Sequence, residues 1–443
     1  MKFITFIGTG PDGDGYTELS YRMDGSDTKT VTKFVQRAEI QLLGKKWFDK
    51  IYILCTRESK EFFHELQDEL EDELGIREDI IESVDIGKID QIQSAWVLFE
   101  KISSLINDGD TLVFDLTHGF RSLPIILSAA LNYILKAKTE IVLQHVFYGE
   151  RDENSQRQGT IIDMKDFYSV NQWAEGVARL TETADAYKLA DVARQESNHA
   201  FSNLQDETLV KALEKLTATL KNIDVNRIAR NTENALEIVR SRKNRSSGAE
   251  YELLCLVEKK FAPLARKLSG QYDADYFMLQ LDIIHMLNEH KLYMQAYTVI
   301  LETIGSIGML GAPPELTKDI WDNATADLRT PYADLFVRMI NFNEFKSRSD
   351  KEKPRAEELN ATICTWINEK GMLEELKSIT KEIKKYRNGF DHAWTGYGDK
   401  TMRKTIKDEE IETLASEAVN FLEKLITALI QQKIIHTRSP EEI

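Results

Sequence analysis

Six consecutive residues near the C-terminus, Arg387-Asn388-Gly389-Phe390-Asp391-His392, bring a permanently charged guanidinium close in sequence to an imidazole that titrates near neutral pH. An arginine grips phosphate through parallel N–H donors, and a histidine takes or gives a proton at an attacking or leaving oxygen. Together they supply what phosphodiester cleavage needs without a metal ion. On an unbroken helix five residues turn through about 500°, which leaves the two side chains roughly 140° apart. Gly389 is therefore expected to break the helix so that both can face one phosphate. Asn388 could hold the scissile group through its amide, and Asp391 reads as a helix cap rather than as a partner of His392.

A second constellation lies in the first third of the chain. Asp115-Leu116-Thr117-His118-Gly119-Phe120-Arg121 follows the apolar run Thr111-Leu112-Val113-Phe114 and precedes a helical stretch. A strand that ends in such a loop offers free N–H groups at the helix start, which suit an anion. Thr117 and His118 add donors, Gly119 adds backbone freedom, and Arg121 could meet a phosphate or stack on a base. Asp115 and Thr117 could also simply cap the helix. Gly8-Thr9-Gly10-Pro11-Asp12-Gly13 matches the dinucleotide-binding pattern G-x-G-x-x-G after the first strand. That pattern works by pointing a helix at a pyrophosphate, yet strand-like residues follow here, and Asp12 and Asp14 would repel one. The loop remains well placed for other ligand contacts.

Charge narrows the choices. The net charge of −16 argues against broad nucleic-acid affinity, so any RNA contact must be local. Lys377, Lys381, Lys384, Lys385 and Arg387 form a basic run before His392, with Arg403, Lys404 and Lys407 after it. They read equally as a solvated helix face or as a phosphate-binding rim. The three cysteines, Cys55, Cys255 and Cys364, are far apart in apolar contexts, which fits a reducing cytoplasm and argues against disulfides. No cluster has convincing metal-ligand spacing; His285 and His290 read as core or surface residues. No leader peptide is evident, and no run approaches the ~20 apolar residues that cross a bilayer.

The elements that must carry these residues fall into two patterns. Up to about residue 166, short apolar runs alternate with helical stretches. Strands are expected at Phe3–Ile7, Glu18–Met23, Ile51–Cys55, Ser83–Ile86, Thr111–Asp115, Ile141–Tyr148 and Thr160–Met164. Helices are expected at Thr30–Lys46, Ser59–Leu74, Gln91–Ile106 and Ser122–Lys136. This alternation implies an α/β, Rossmann-like domain with a mostly parallel sheet and helices on both faces. From Phe167 onward the period is that of helices alone, through Phe167–Val192, Glu207–Ile223, Arg227–Arg240, Glu250–Leu268, Tyr276–Asn288, Leu292–Met309, Pro331–Met339, Arg355–Glu369, Leu373–Arg387 and Glu409–Gln432. The expected divisions are an α/β domain over 1–166, a helical connector over 167–248 and an all-α domain over 249–443.

The Asp115–Arg121 run, with the Gly8-Thr9-Gly10 loop, resembles the CARF sensor domain of CRISPR-associated proteins. Arg387-Asn388 followed by His392 resembles the R-x4-6-H signature of HEPN ribonucleases. In that order the two resemble the CARF–HEPN effectors of type III CRISPR systems, over nearly the whole chain. The resemblance implies a homodimer, or a higher homo-oligomer, whose paired sensor domains bind a cyclic oligoadenylate as allosteric activator. Gly8, Thr9, Gly10, Thr117, His118, Gly119 and Arg121 would touch that ring. It implies a single-stranded RNA substrate and metal-independent cutting by the adjacent 2′-OH, leaving a 2′,3′-cyclic phosphate, with Arg387, Asn388 and His392 as the catalytic set. No cofactor beyond the activator is implied. The competing expectations are a ring-responsive regulator or scaffold without nuclease activity, or a ring nuclease that degrades the activator.

Overall fold

The computed structural model describes residues 1–10, 15–44, 48–88, 90–118, 123–152, 157–195, 198–310, 320, 333–334, 336–337, 340, 353–391 and 408–438. Gly119, Phe120, Arg121 and His392 lie outside the described residues. The chain divides into two compact units, Met1–Asn171 and Gln172–Ile443.

The first unit holds β1 (Lys2–Ile7), β2 (Leu19–Met23), β3 (Lys29–Thr32), α1 (Val35–Leu43), β4 (Lys50–Cys55), α2 (Lys60–Asp72), β5 (Ile81–Asp85), α3 (Ile92–Ser104), β6 (Thr111–Asp115), α4 (Leu123–Ala137), β7 (Val142–Arg151) and β8 (Gln158–Asp163). They form one 8-stranded sheet in the order β3-β2-β8-β7-β6-β1-β4-β5. The centre is parallel: β1 pairs with β4 and β6, β4 with β5, and β6 with β7. Antiparallel pairs occur only where β7 meets β8 and β2 meets β3.

Strand side chains alternate between faces, and this alternation builds two cores. Phe3, Ile7, Ile51, Ile53 and Val113 pack on one face with Ala38 of α1 and Phe63, Leu66 and Leu70 of α2. Ile4, Phe6, Leu54, Leu112 and Phe114 pack on the other with Leu98 and Ile102 of α3 and Leu127 and Leu131 of α4. Each such side chain, fully buried, contributes about 1.5–3 kcal/mol. The near-continuous apolar runs of β1, β4 and β6 are what a strand covered on both faces requires.

One expected element changes type. The front of the stretch read as helix from Thr30 is the edge strand β3, in which Thr30 and Thr32 are buried while Lys29 and Val31 are exposed. Four residues of alternating β-branched side chains suit a pleated edge better than a helical turn. The helix itself begins at Val35, after the Phe34 N–H bonds the Thr32 hydroxyl at 3.0 Å.

The helix α5 (Lys165–Thr183) carries the chain into the second unit. The single helix expected over Phe167–Val192 ends instead at Thr183. Ala184 adopts φ 50°, and the Asp185 carboxylate accepts the Tyr187 N–H at 2.9 Å to start a new helix over Tyr187–Gln195. Helices at Glu207–Lys221, Val225–Lys243 and Gly248–Phe261 follow and pack in sequence. Those at Ala274–Glu289, Tyr293–Ile307, Leu373–Asp391 and Asp408–Gln431 form a second packed group, and Lys353–Glu369 packs on Leu373–Asp391. Among the described residues this unit contains no strand, so the fold is an α/β domain followed by an all-α region.

Candidate functional site

Because β1, β4, β5 and β6 run parallel, their C-terminal ends share one edge of the sheet. There β1 lies between β4 and β6, and the following helices cover opposite faces, which opens a crevice. A cavity of about 580 Å³ occupies it. Gly8, Thr9 and Gly10 reach it from the end of β1, and Thr117 and His118 from the end of β6. Two loops separated by more than a hundred residues of sequence thus meet at one site. Thr56, Glu58 and Ser59 after β4, and Lys88 after β5, also line it and were missed by sequence reasoning. The signal was available, since both segments follow apolar strands at the same sheet edge. Lys88 is the one cation among the described lining residues.

The first loop owes its shape to Gly10, at φ 79°, where the Gly15 N–H donates back to the Thr9 carbonyl at 3.2 Å. A Cβ at position 10 would stand 2.1 Å from the Gly15 carbonyl oxygen. The Gly8 N–H donates to the Tyr16 phenol oxygen at 3.0 Å. Tyr16 is wedged against Phe34, Phe62 and His118 with ring centroids 4.9, 5.5 and 5.1 Å away, and burial pushes its pKa up to about 12. The chain then enters β2, so no helix points its N-terminus at this loop, and the dinucleotide pattern lacks the element that makes it work.

The second loop hangs from Asp115, which is completely buried. Its carboxylate accepts the Thr5 hydroxyl at 2.6 Å, the Thr117 N–H at 2.8 Å and the Thr117 hydroxyl at 2.5 Å. The Thr117 oxygen in turn accepts the Gly149 N–H of β7 at 2.7 Å. Gly149 is obligatory there, because a Cβ would lie 2.7 Å from Val35 and 3.1 Å from the Thr117 hydroxyl. Thr117 therefore fixes the loop with its hydroxyl as well as lining the cavity. His118 is half-buried, and no described residue bonds its Nε2. Burial lowers its pKa against the pull of the Asp115 charge, so at neutral pH it offers a neutral imidazole, able to donate and accept.

With this geometry in place, comparison with known proteins is informative. Residues 2–151 match the family model described as the CARF domain of the CRISPR system endoribonuclease Csx1. These residues are a CARF domain. Within it, 139 residues are 25% identical to a CRISPR-associated protein of Methanocaldococcus jannaschii, an alignment covering 30% of this chain and 22% of that protein. The chain thus matches under a quarter of that relative's length. A solved structure of Enterococcus italicus Csm6 bound to cyclic hexa-2′-fluoro-hexa-dAMP aligns over 98% of this chain and 96% of its own, at 12% identity and a TM-score of 0.39. The cavity of the CARF domain is the one lined by Gly8–Gly10 and Thr117–His118.

The C-terminal constellation differs from expectation in one respect. The helix Leu373–Asp391 runs without a break through Gly389, which lies on its buried face with Leu376, Ile379, Ile383 and Tyr386. The buried spacing keeps Gly389 in register with that apolar stripe, so packing holds the helix where propensity alone would loosen it. Arg387 is half-exposed, and its guanidinium pairs with Asp391 at 3.0 Å. Asp391 therefore partners the arginine. The basic run is partly neutralised: Lys377 pairs with Glu374 at 2.7 Å and Lys385 with Glu382 at 3.3 Å. A cavity of about 440 Å³ beside the helix is lined by Glu382, Tyr386, Glu409, Glu410 and Glu417, an acidic surround. Elsewhere His285 bonds Glu423 at 2.6 Å, and His290 bonds the Glu182 carbonyl at 2.6 Å, both structural contacts. Among the described residues no group of three or more His, Cys, Asp or Glu could hold a metal, and no helix is long and apolar enough to cross a membrane.

Proposed function

We propose that this chain is an endoribonuclease switched on by a cyclic oligoadenylate bound at its CARF domain. One observation carries the reading: the loops singled out for a ring-shaped phosphodiester, Gly8–Gly10 and Thr117–His118, line one cavity in a domain that matches the Csx1 CARF family. Gly119 and Arg121 complete the ring contacts in this reading. Residues 1–166 sense the ring, 167–248 connect, and 249–443 form a HEPN-type nuclease domain. A two-fold homodimer suits a symmetric ring, since each copy offers the same loops to half of it. Support for a second copy comes from an exposed apolar face on the CARF domain, where Ile92, Trp96 and Val97 of α3 lie beside Ile125 and Tyr133 of α4. Phe99 joins the two helices, its ring 5.4 Å from Trp96 and 5.3 Å from Tyr133. Faces of this kind mark association sites.

The chemistry proposed is attack by the substrate's own 2′-OH on the adjacent phosphorus. The 5′-oxygen leaves and a 2′,3′-cyclic phosphate remains. Arg387 stabilises charge on the phosphoryl oxygens, His392 transfers the proton, and Asn388 positions the phosphate. No metal takes part. The test is a fluorogenic single-stranded RNA incubated with cyclic tri-, tetra- or hexaadenylate in EDTA. Cleavage should appear with one ring, persist in the chelator, and vanish in His392→Ala while ring binding survives.

The acidic cavity beside Arg387 and the carboxylates paired with its neighbours favour a second reading, a ring-binding scaffold or regulator that leaves RNA intact. Ring binding without cleavage by any of the three rings would establish that reading instead.

A further inference from the structure

Glu39 sits on the sheet-facing side of α1 with no exposed surface. No described residue donates a hydrogen bond to either of its carboxyl oxygens, and its carboxyl is in hydrogen-bond contact with that of Asp115. Two buried carboxyl groups in contact cannot both be ionised; one proton must lie between them. The Asp115 oxygens already receive three donors, from Thr5 and Thr117, which favour charge on that residue. The proton therefore belongs to Glu39.

We propose that Glu39 is a protonated positioning residue, whose hydrogen bond to Asp115 holds the Thr117–His118 segment in the shape that receives the ligand. Only the word "ligand" rests on the function proposed above; the proton and the positioning do not. The neighbouring cation on α1 does not neutralise the pair, because Arg37 is held by Glu69 and Glu73. Gln36, beside it, is committed to the Phe6 carbonyl at 2.8 Å and ties α1 to β1. The ionisable groups around the pair are Tyr21 of β2, with Arg151 of β7 acting on it, and Tyr16 and His118 at the cavity. Burial raises the Glu39 pKa well above the ordinary carboxylate value, and the charge of Asp115 adds to the rise. Between the ordinary value and the raised one the folded chain holds one proton more than the unfolded chain. Stability therefore falls as pH rises through that window, by up to about tenfold in the folding equilibrium per pH unit.

The test compares the full-length wild type with Glu39→Gln, which keeps a donor and cannot ionise, and with Glu39→Ala. Unfolding is followed from about pH 5 to about pH 9, the His118 signal by NMR of 15N-histidine-labelled protein, and binding with labelled cyclic tri-, tetra- and hexaadenylate. Glu39→Gln should gain stability relative to wild type as pH rises, leave the His118 signal in place, and bind the ring within about threefold of wild type at neutral pH. Glu39→Ala should shift the signal and weaken binding by about tenfold or more. A stability difference between wild type and Glu39→Gln that does not change with pH, or equal losses in both variants, would overturn the proposal. Should wild type bind none of the three rings, the functional reading falls, while the pH series and the His118 signal still decide the role of Glu39.

Discussion

Arg387 and Asp391 face one another across a single helical turn, guanidinium to carboxylate at 3.0 Å, with both side chains partly exposed. A pair in that setting contributes about 1 kcal/mol at most, so a phosphate can displace the carboxylate. Asp391→Asn should accordingly lower the KM for RNA by up to about fivefold and leave ring binding unchanged. Arg387→Ala should reduce kcat by about a hundredfold or more, since a charge-stabilising donor is lost where charge develops. Steady-state cleavage of a fluorogenic RNA at saturating ring reads both effects. An increase in KM for Asp391→Asn would mean that the carboxylate positions the arginine for its substrate.

Gly10→Ala should damage the sensor and spare the nuclease. The substitution forces a side chain into a left-handed backbone and against the Gly15 carbonyl, at a cost of about 1–2 kcal/mol before the clash is counted. Ring affinity should fall about tenfold or more, while cleavage at saturating ring recovers wild-type kcat. Isothermal titration and cleavage curves across ring concentration separate the two outcomes.

Trp96→Glu places a charge in the middle of the exposed apolar face on α3. If two copies meet there, the variant should sediment as a monomer at concentrations where wild type is dimeric, with an unchanged thermal transition. Analytical ultracentrifugation checks the first expectation and calorimetry the second. Unaltered assembly would locate the dimer contact elsewhere.

Acid should weaken the CARF domain through His118. Burial lowers the pKa of this base in the folded chain, so the unfolded chain binds the extra proton as pH falls. The contribution is complete above the ordinary histidine value of about 6.5 and is lost progressively below it. His118→Asn should flatten the fall in Tm between about pH 7 and about pH 5. His290, also lowered by burial, acts in the same direction in the helical unit and supplies an internal comparison.

Much of this was legible in the sequence because several elements leave an unambiguous trace. The runs Phe3–Ile7, Ile51–Cys55 and Thr111–Asp115 are buried on both faces, and only parallel central strands read that way. Loops after such strands converge on one edge, which is why Gly8–Gly10 and Thr117–His118 could be placed at one site. Lys88 and Thr56 obey the same rule but carry no glycine signature, and so escaped notice. Tyr16 and Glu39 were invisible for a different reason. Their roles depend on contacts with Gly8 and Asp115 that no local spacing encodes. Gly389 misled because propensity favours a break, whereas the buried face of the surrounding helix holds it closed.

The bare α-carbon of Gly149 has a further implication. It lies on a strand that contributes nothing to the cavity wall, yet its amide and its lack of a side chain fix the threonine that does. Random mutagenesis for loss of signalling should therefore recover hits at codon 149 as readily as among the residues a bound nucleotide would touch. Even alanine, the mildest replacement, would push the neighbouring loop out of true.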